Sequence, residues 1–287
     1  MELIDLHVHS TFSDGTYTPE ELVIEAKEKN LKAFALTDHD TVAGIEEALK
    51  YGKDYNIEVI PGIEISCSYT TTIGKEKEIH IVGLFIDYKN EEFLSSIGNQ
   101  VEIRNTRNDK VIKKMNEYGF PITLTELHEM FGTDTIITRA HFASWLTKKG
   151  YVKDNQQAFS KYLQDGKPFC IPRERITPEK AVRLINNAGG VAILAHPILY
   201  DLGEKELNLL CSKLKKAGLV GIEAIYSTYR NGDEILVRRL AKANGLLISG
   251  GSDFHGGNKP YIHLGIGRGN LKIPYEILTN LKVERNL

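Results

Sequence analysis

A strand that closes on His7-x-His9 constrains this chain more than any other feature. Residues 4–22 read IDLHVHSTFSDGTYTPEEL, and ALTDHD follows a short way on, bringing Asp14, His39 and Asp40 to or just past strand ends. Strand side chains alternate with period two, so His7 and His9 point to the same side. Two neutral imidazoles beside a carboxylate and a third imidazole make a coordination shell for a transition metal. The rest of the chain supplies Glu64, His80, His196, Asp253 and His255. Nine candidate ligands are too many for one ion. A multinuclear centre is the reading, and such centres suit hydrolysis.

Short apolar segments alternate with amphipathic ones, the pattern of parallel β/α construction. Strands are expected at Glu2–Leu6, Ala33–Leu36, Glu58–Ile60 running on into Ile63–Ser68, Glu78–Leu84, Val191–Ala195, Val220–Ile225 and Leu246–Ser249. Thr18 as cap, Pro19 at the first helical position and two glutamates spell the first helix start. Nearly every candidate ligand falls at or just past the C-terminal end of a strand, where β/α barrels carry their active sites. His80 is the exception. It lies inside its strand, and only a pleat pointing into the barrel makes it a ligand. Seven strands rather than eight imply a distorted barrel. From Asp87 to Cys170 strand signals vanish and helical periodicity takes over, with Gly98, Gly119, Gly132 and Gly150 as punctuation. The expected architecture is an α/β fold: a distorted seven-stranded (β/α) barrel from residues 1–86 and 171–287, with residues 87–170 as a helical insertion over its mouth.

Composition narrows the partners. A formal charge of -2 gives no bulk attraction to nucleic acid. Cys67, Cys170 and Cys211 are scattered and form no CxxC pair, so they read as buried small residues of a reduced, cytoplasmic chain. No apolar run approaches membrane-spanning length, and the first strand begins too early to leave room for a signal peptide.

His7-x-His9, Ser13-Asp14-Gly15, Thr37-Asp38-His39-Asp40, Gly62-x-Glu64, Ala195-His196-Pro197 and Gly251-Ser252-Asp253-Phe254-His255 occur in that order. Together they resemble the PHP family, named for its polymerase and histidinol-phosphatase members. The resemblance implies three divalent ions. His7, His9, Glu64 and Asp253 would hold the first, Glu64 would bridge to a second shared with His80 and His196, and Asp14, His39 and His255 would hold the third. Where Asp14 stands, relatives often carry histidine. The third site is therefore richer in oxygen, and manganese, iron and zinc all remain open. Glu64 and Asp253 become catalytic through the ions. Asp40 is a candidate proton-transfer group or, like Asp38, an acceptor orienting His39. Glu223 is a candidate to hydrogen-bond a ligand or substrate, or to form a buried structural pair. His128 and His263 lack motif support and read as structural.

The insertion points to a substrate. Arg104-x-x-Arg107-Asn108 and Thr138-Arg139-Ala140-His141 resemble the small stand-alone PHP proteins, which act on nucleoside 3',5'-bisphosphates or trim very short RNA from the 5' end. Arg104 and Asn108 interrupt the apolar face formed by Ile97, Val101, Val111 and Met115. An arginine there either pairs with a buried carboxylate or faces an anion, and the second reading is preferred beneath a phosphate-binding lid. Arg107 falls nearer the solvent side. Thr138 reads as a helix cap, so backbone amides, Arg139 and His141 would converge on a phosphate. The insertion carries 12 Lys or Arg against 11 Asp or Glu over residues 87–167, too balanced to cover duplex DNA. Tyr226, Tyr229, Phe142 and Trp145 are candidates to stack on a base.

The expected activity is a metal-dependent phosphoesterase acting on nucleoside 3',5'-bisphosphates or short 5'-phosphorylated oligoribonucleotides. Histidinol-phosphate phosphatase is the runner-up. A non-catalytic nucleotide- or metal-binding regulator is the reading from another class.

Overall fold

Seven strands form one sheet whose spatial order follows the chain. They are β1 (Leu3–Val8), β2 (Leu31–Leu36), β3 (Glu58–Thr70), β4 (Glu76–Leu84), β5 (Val191–Leu194), β6 (Gly221–Tyr226) and β7 (Leu247–Gly251). The computed structural model describes residues 2–285. The sheet curls until its edges meet at the mouth, where Asp253 N–H donates to the His7 carbonyl at 2.9 Å and His9 N–H to the Phe254 carbonyl at 3.0 Å. Gly251 allows that closure. A Cβ there would stand 2.2 Å from the Cβ of His7.

The parallel β/α pattern has one exception, β4. β3 and β4 form an antiparallel hairpin, and β4 also runs antiparallel to β5, while the other neighbours are parallel. Only the turn around 71–75 joins β3 to β4, too little chain for the crossover that a parallel pair requires. The reversal explains His80. Because β4 enters from the mouth, its first half rather than its end lies beside the ligands, with His80 opposite Ser66 of β3.

Helices α1 (Pro19–Glu28), α2 (Ile45–Tyr55), α7 (Pro178–Asn187), α8 (Glu204–Ala217) and α9 (Asp233–Asn244) coat the outside, and α10 (Tyr275–Glu284) ends the described chain. Thr18 and Glu21 form the capping box that the first helix start promised. Inside the barrel, Ile4, Leu6, Ala33, Ala35, Ile60, Val82 and Ile193 pack with Leu278 and Leu281 of α10, which plugs the end away from the mouth.

The intervening segment holds α3 (Glu91–Glu117), α4 (Leu124–Phe131), α5 (Arg139–Lys148) and α6 (Asn155–Ala158), the last running into a π-helical turn at Phe159–Leu163. Gly98 does not punctuate it, because α3 runs straight through. The first half of α3 sends Phe93 and Ile97 into the barrel's outer core. Its second half sends Val111 and Met115 into a separate cluster with Ile122, Leu127, Phe142, Trp145 and Phe169. One helix therefore couples two apolar cores, roughly 40 Å of rigid rod.

Candidate metal centre

All nine candidate ligands converge at the mouth, their donor atoms falling into overlapping groups: His9, Asp14, His39 and His255; His7, Glu64 and His196; His7, His9 and Asp253; and His39, Glu64 and His80. Glu64 lies at the middle. Its Oε2 stands 3.2 Å from both His7 Nε2 and His9 Nε2 and 3.1 Å from His39 Nδ1. Its Oε1 stands 2.8 Å from His80 Nδ1 and 2.9 Å from His196 Nε2. Asp253 Oδ1 lies 3.4 Å from His9 Nε2, and Asp14 Oδ1 lies 3.2 Å from His255 Nε2.

The donor set fits a cation. His7 Nε2, His9 Nε2, His39 Nδ1, Asp14 Oδ1 and Glu64 Oε2 are buried, face one another and have no well-formed hydrogen bond. Orphaned polar atoms are costly and rare, and here they share one focus. Burial pushes His39 down to about 3, whereas His7, His9 and His80 are raised against burial by the carboxylates they face, Glu64 among them. Burial opposes charge on Glu64, yet His80, His7 and His39 hold its carboxyl well below the usual range. The backbone is strained at the same place: Asp40, His196 and Asp253 adopt φ of 54°, 23° and 57°. Non-glycine residues keep such angles only where their surroundings enforce them.

Glu223 proves to be a buried partner of the ligands. It faces His7 Nδ1 at 3.1 Å and accepts the His196 backbone N–H at 2.8 Å. Neither aspartate beside His39 orients it. Asp38 accepts from Ser10 N–H at 2.8 Å and from the Ser10 and Ser13 hydroxyls. Asp40 accepts from Ser66 N–H at 2.9 Å and pairs with Arg104 and Arg173. Burial opposes its charge, but the two guanidinium groups bring it down to about 2. A carboxylate so held stays ionised at neutral pH and is poorly suited to shuttling protons.

The insertion's polar residues also meet the site, in an arrangement different from the expected one. Arg104 takes the buried-carboxylate alternative through Asp40, although it still lines the cleft. Arg139 pairs with Glu78 at 2.6 Å. The start of α5 is capped from within. Thr138 N–H donates to His141 Nδ1 at 2.9 Å, and the Thr138 hydroxyl accepts from Ala140 N–H and donates to Asp14 Oδ2 at 3.1 Å. Asn108 donates to the Ile137 carbonyl at 3.0 Å. Arg107, expected near solvent, is only 6 % exposed, and its Nε has no hydrogen-bond partner among the described residues. Burial and the neighbouring Arg104 and Arg173 pull its guanidinium down to about 9.

Three of the four aromatic candidates are buried, and Tyr229 is half-buried. Phe142 and Trp145 are fully buried in the insertion. Tyr226 is buried and donates to Asp253 at 2.6 Å, and Tyr229 donates to the Glu223 carbonyl at 3.0 Å. His128 and His263 stand apart from the cluster. Cys67 and Cys211 are buried as expected, whereas Cys170 is half-buried.

Sequence reasoning missed Arg173, Arg175, Glu78 and Lys259. Arg173 gives one nitrogen to Asp40 at 3.0 Å and buries Nε and Nη1 without partners. Glu78 faces Arg139 and Arg175, and Lys259 donates to Asp253 at 2.5 Å. Glu78 was findable, because it sits two residues before His80 on the same face of a strand. The extended segment carrying Arg173 and Arg175 has no periodicity to reveal which way it faces.

Residues 5–105 match the model of the PHP domain. A 5'-3' exoribonuclease of Haemophilus influenzae is 36% identical over 251 residues, covering 88% of this chain and 89% of that protein. A 3',5'-nucleoside bisphosphate phosphatase of Chromobacterium violaceum is 34% identical, covering 89% of this chain and 88% of its own. Among solved structures, an amidohydrolase of Chromobacterium violaceum with bound sulfate superposes with a TM-score of 0.87 at 32% identity, over 98% of this chain and 96% of that one.

Proposed function

Because the chain belongs to the PHP family and is a metal-dependent phosphoester hydrolase, we propose that it acts on a nucleotide carrying a second phosphate. The substrate is a nucleoside 3',5'-bisphosphate or the 5'-phosphorylated end of a short oligoribonucleotide. One observation carries this reading: in the group of charges around Asp40, Arg107 buries Nε, and Arg173, already paired with Asp40, buries Nε and Nη1, all three without a hydrogen-bond partner among the described residues. An unpaired buried arginine is expensive unless an anion completes it. The phosphate that is not cleaved supplies that anion, and Asp40 holds Arg104 and Arg173 in place around it. Arg139, His141 and Asn108 then act as supports of this wall rather than as direct phosphate ligands.

Three divalent ions are the reading that the donor groups support best, with manganese, iron or zinc compatible with the mixed nitrogen and oxygen set. The ions would activate water and neutralise charge on the transferring phosphoryl group. Glu64 divides its two oxygens between His7, His9 and His39 on one side and His80 and His196 on the other, as a bridging carboxylate must. Residues 87–170 serve as the substrate-binding lid. Three free cysteines favour a reducing compartment, hence the cytoplasm. Among the described residues no helix is long and apolar enough to cross a membrane.

A phosphate-release screen on the manganese-loaded protein tests the reading. It compares adenosine 3',5'-bisphosphate, AMP, histidinol phosphate and a 5'-phosphorylated trinucleotide, with mononucleotide release followed for the last. The substrates bearing a second phosphate should turn over fastest. Histidinol phosphate outrunning both would transfer the assignment to a small monoester phosphatase.

A further inference from the structure

The cleft above the ligands is larger than a nucleoside bisphosphate needs. At about 950 Å³ it stands at the upper end of small-molecule sites, and its two ends differ in chemistry. On one side Arg104 and Arg139 line it, and Glu78 ties that side to the ligands, 3.7 Å from His80. On the other side Asn258 donates to the Asp14 carbonyl at 2.8 Å, and the cleft continues past Lys259 to Tyr261 and Arg268. The ligand cluster thus lies between an arginine end and a tyrosine end.

Tyr261 has no evident task in the fold. It is 55% exposed, and the Arg268 guanidinium stacks 4.7 Å from its ring centroid. Phe159 and Lys153 of the insertion line the same cleft, with Lys153 3.6 Å from Asp154. The loop bearing Tyr261 is pinned. Ile262 N–H donates to the Lys259 carbonyl at 2.9 Å, and His263 and Gly267 exchange two backbone hydrogen bonds at 2.8 Å. Gly265 N–H reaches into the barrel to the buried Asp5 carboxylate at 2.8 Å. An exposed aromatic ring on a pinned loop, with a guanidinium against it and further cations nearby, has the chemistry of a stacking platform for single-stranded nucleic acid.

We propose that Tyr261, backed by Arg268, stacks against the base of the nucleotide downstream of the scissile bond when a short 5'-phosphorylated RNA occupies the cleft. This inference rests on the proposed function. With the terminal phosphate at the arginine end and the scissile phosphate over the ligands, a bisphosphate ends there. Only a longer chain reaches the tyrosine end. A single ring predicts a footprint of a few nucleotides and no length preference beyond it.

The test measures kcat and KM of the manganese-loaded protein on adenosine 3',5'-bisphosphate and on 5'-phosphorylated RNA of two, three and six nucleotides. The wild type should show KM falling from the bisphosphate to the trinucleotide and then level. Tyr261→Ala should raise KM for the trinucleotide about tenfold, as loss of one base–aromatic stack does, and thereby lower the trinucleotide-to-bisphosphate ratio of kcat/KM. Tyr261→Phe should restore that ratio, and Arg268→Ala should lower it less. Equal losses on both substrates, or no loss on the trinucleotide, overturn the proposal. A wild type that cleaves only the bisphosphate overturns it too, while leaving the second-phosphate reading intact. A wild type that cleaves neither substrate defeats both.

Discussion

Glu223 and His7 are joined at the floor of the ligand cluster, the carboxylate 3.1 Å from Nδ1 of the ring. With Nδ1 facing Glu223, Nε2 is the ring nitrogen that faces Glu64. A carboxylate behind a histidine ligand sets its tautomer and raises its basicity. Because Glu223 also holds the His196 backbone, it orients two candidate ligands from outside the candidate donor groups. Glu223→Gln should lower metal affinity roughly 10–100-fold while leaving the fold intact. Competition with a chelator, with circular dichroism as the control for folding, measures this. Unchanged affinity would remove the orienting role.

Metal stoichiometry gives the second prediction. After anaerobic loading with manganese or iron, elemental analysis should approach three ions per chain. Glu64→Ala should lose at least one of them along with most activity, because its two oxygens serve different histidines. His128→Ala and His263→Ala remove histidines outside the cluster and should leave the count unchanged. A wild type saturating at one ion contradicts the trinuclear reading.

The candidate donor cluster was legible because nearly all of the nine residues sit in short motifs at strand ends, where local alternation fixes direction. His80 shows the limit of that reasoning: whether a residue inside a strand faces the mouth depends on which way the strand runs, and the reversal of β4 is set by a turn rather than by β4 itself. The arginines show a second limit. The periodicity of α3 places Arg104 and Asn108 on the buried face, but which carboxylate Arg104 meets depends on Asp40, 64 residues away. Arg107 falls at the edge of that face, where a helical pattern cannot separate solvent from a neighbouring segment. Arg173, close enough to depress the Arg107 guanidinium, lies in a stretch with no repeating pattern at all.

The insertion's own core gives a prediction about stability. Trp145 is the chain's one tryptophan, fully buried and donating to Glu126 at 3.0 Å. Its emission therefore reports folding of the insertion. Phe142→Ala empties a fully buried ring position one turn earlier on α5. The variant should lose about 3–5 kcal/mol, transfer and cavity costs together, and its tryptophan emission should shift red at lower denaturant than in the wild type. If far-ultraviolet circular dichroism of the whole chain moves with it, α3 couples the two cores. A tryptophan transition that precedes the rest would show that the insertion opens by itself.

Arg107 should behave oppositely for stability and for activity. It is buried, its Nε has no hydrogen-bond partner among the described residues, and burial and its arginine neighbours pull it down to about 9. Replacing an uncompensated buried cation with an apolar side chain of similar length relieves a penalty, so Arg107→Met should match or exceed the wild type in Tm. The same variant should lose about 2–4 kcal/mol of transition-state stabilisation in kcat/KM for adenosine 3',5'-bisphosphate, the scale of a positioned charged donor. Turnover of p-nitrophenyl phosphate, which lacks a second phosphate, should fall much less. Arg107→Lys should recover part of the loss, because a point charge cannot reproduce a planar two-pronged contact. Arg104→Ala is the contrast. It breaks the buried pair with Asp40 and should lower Tm, although Arg173 keeps the carboxylate partly compensated. If Arg107→Met instead lowers Tm and damages both substrates equally, the guanidinium is part of the scaffold, and the second phosphate must bind elsewhere.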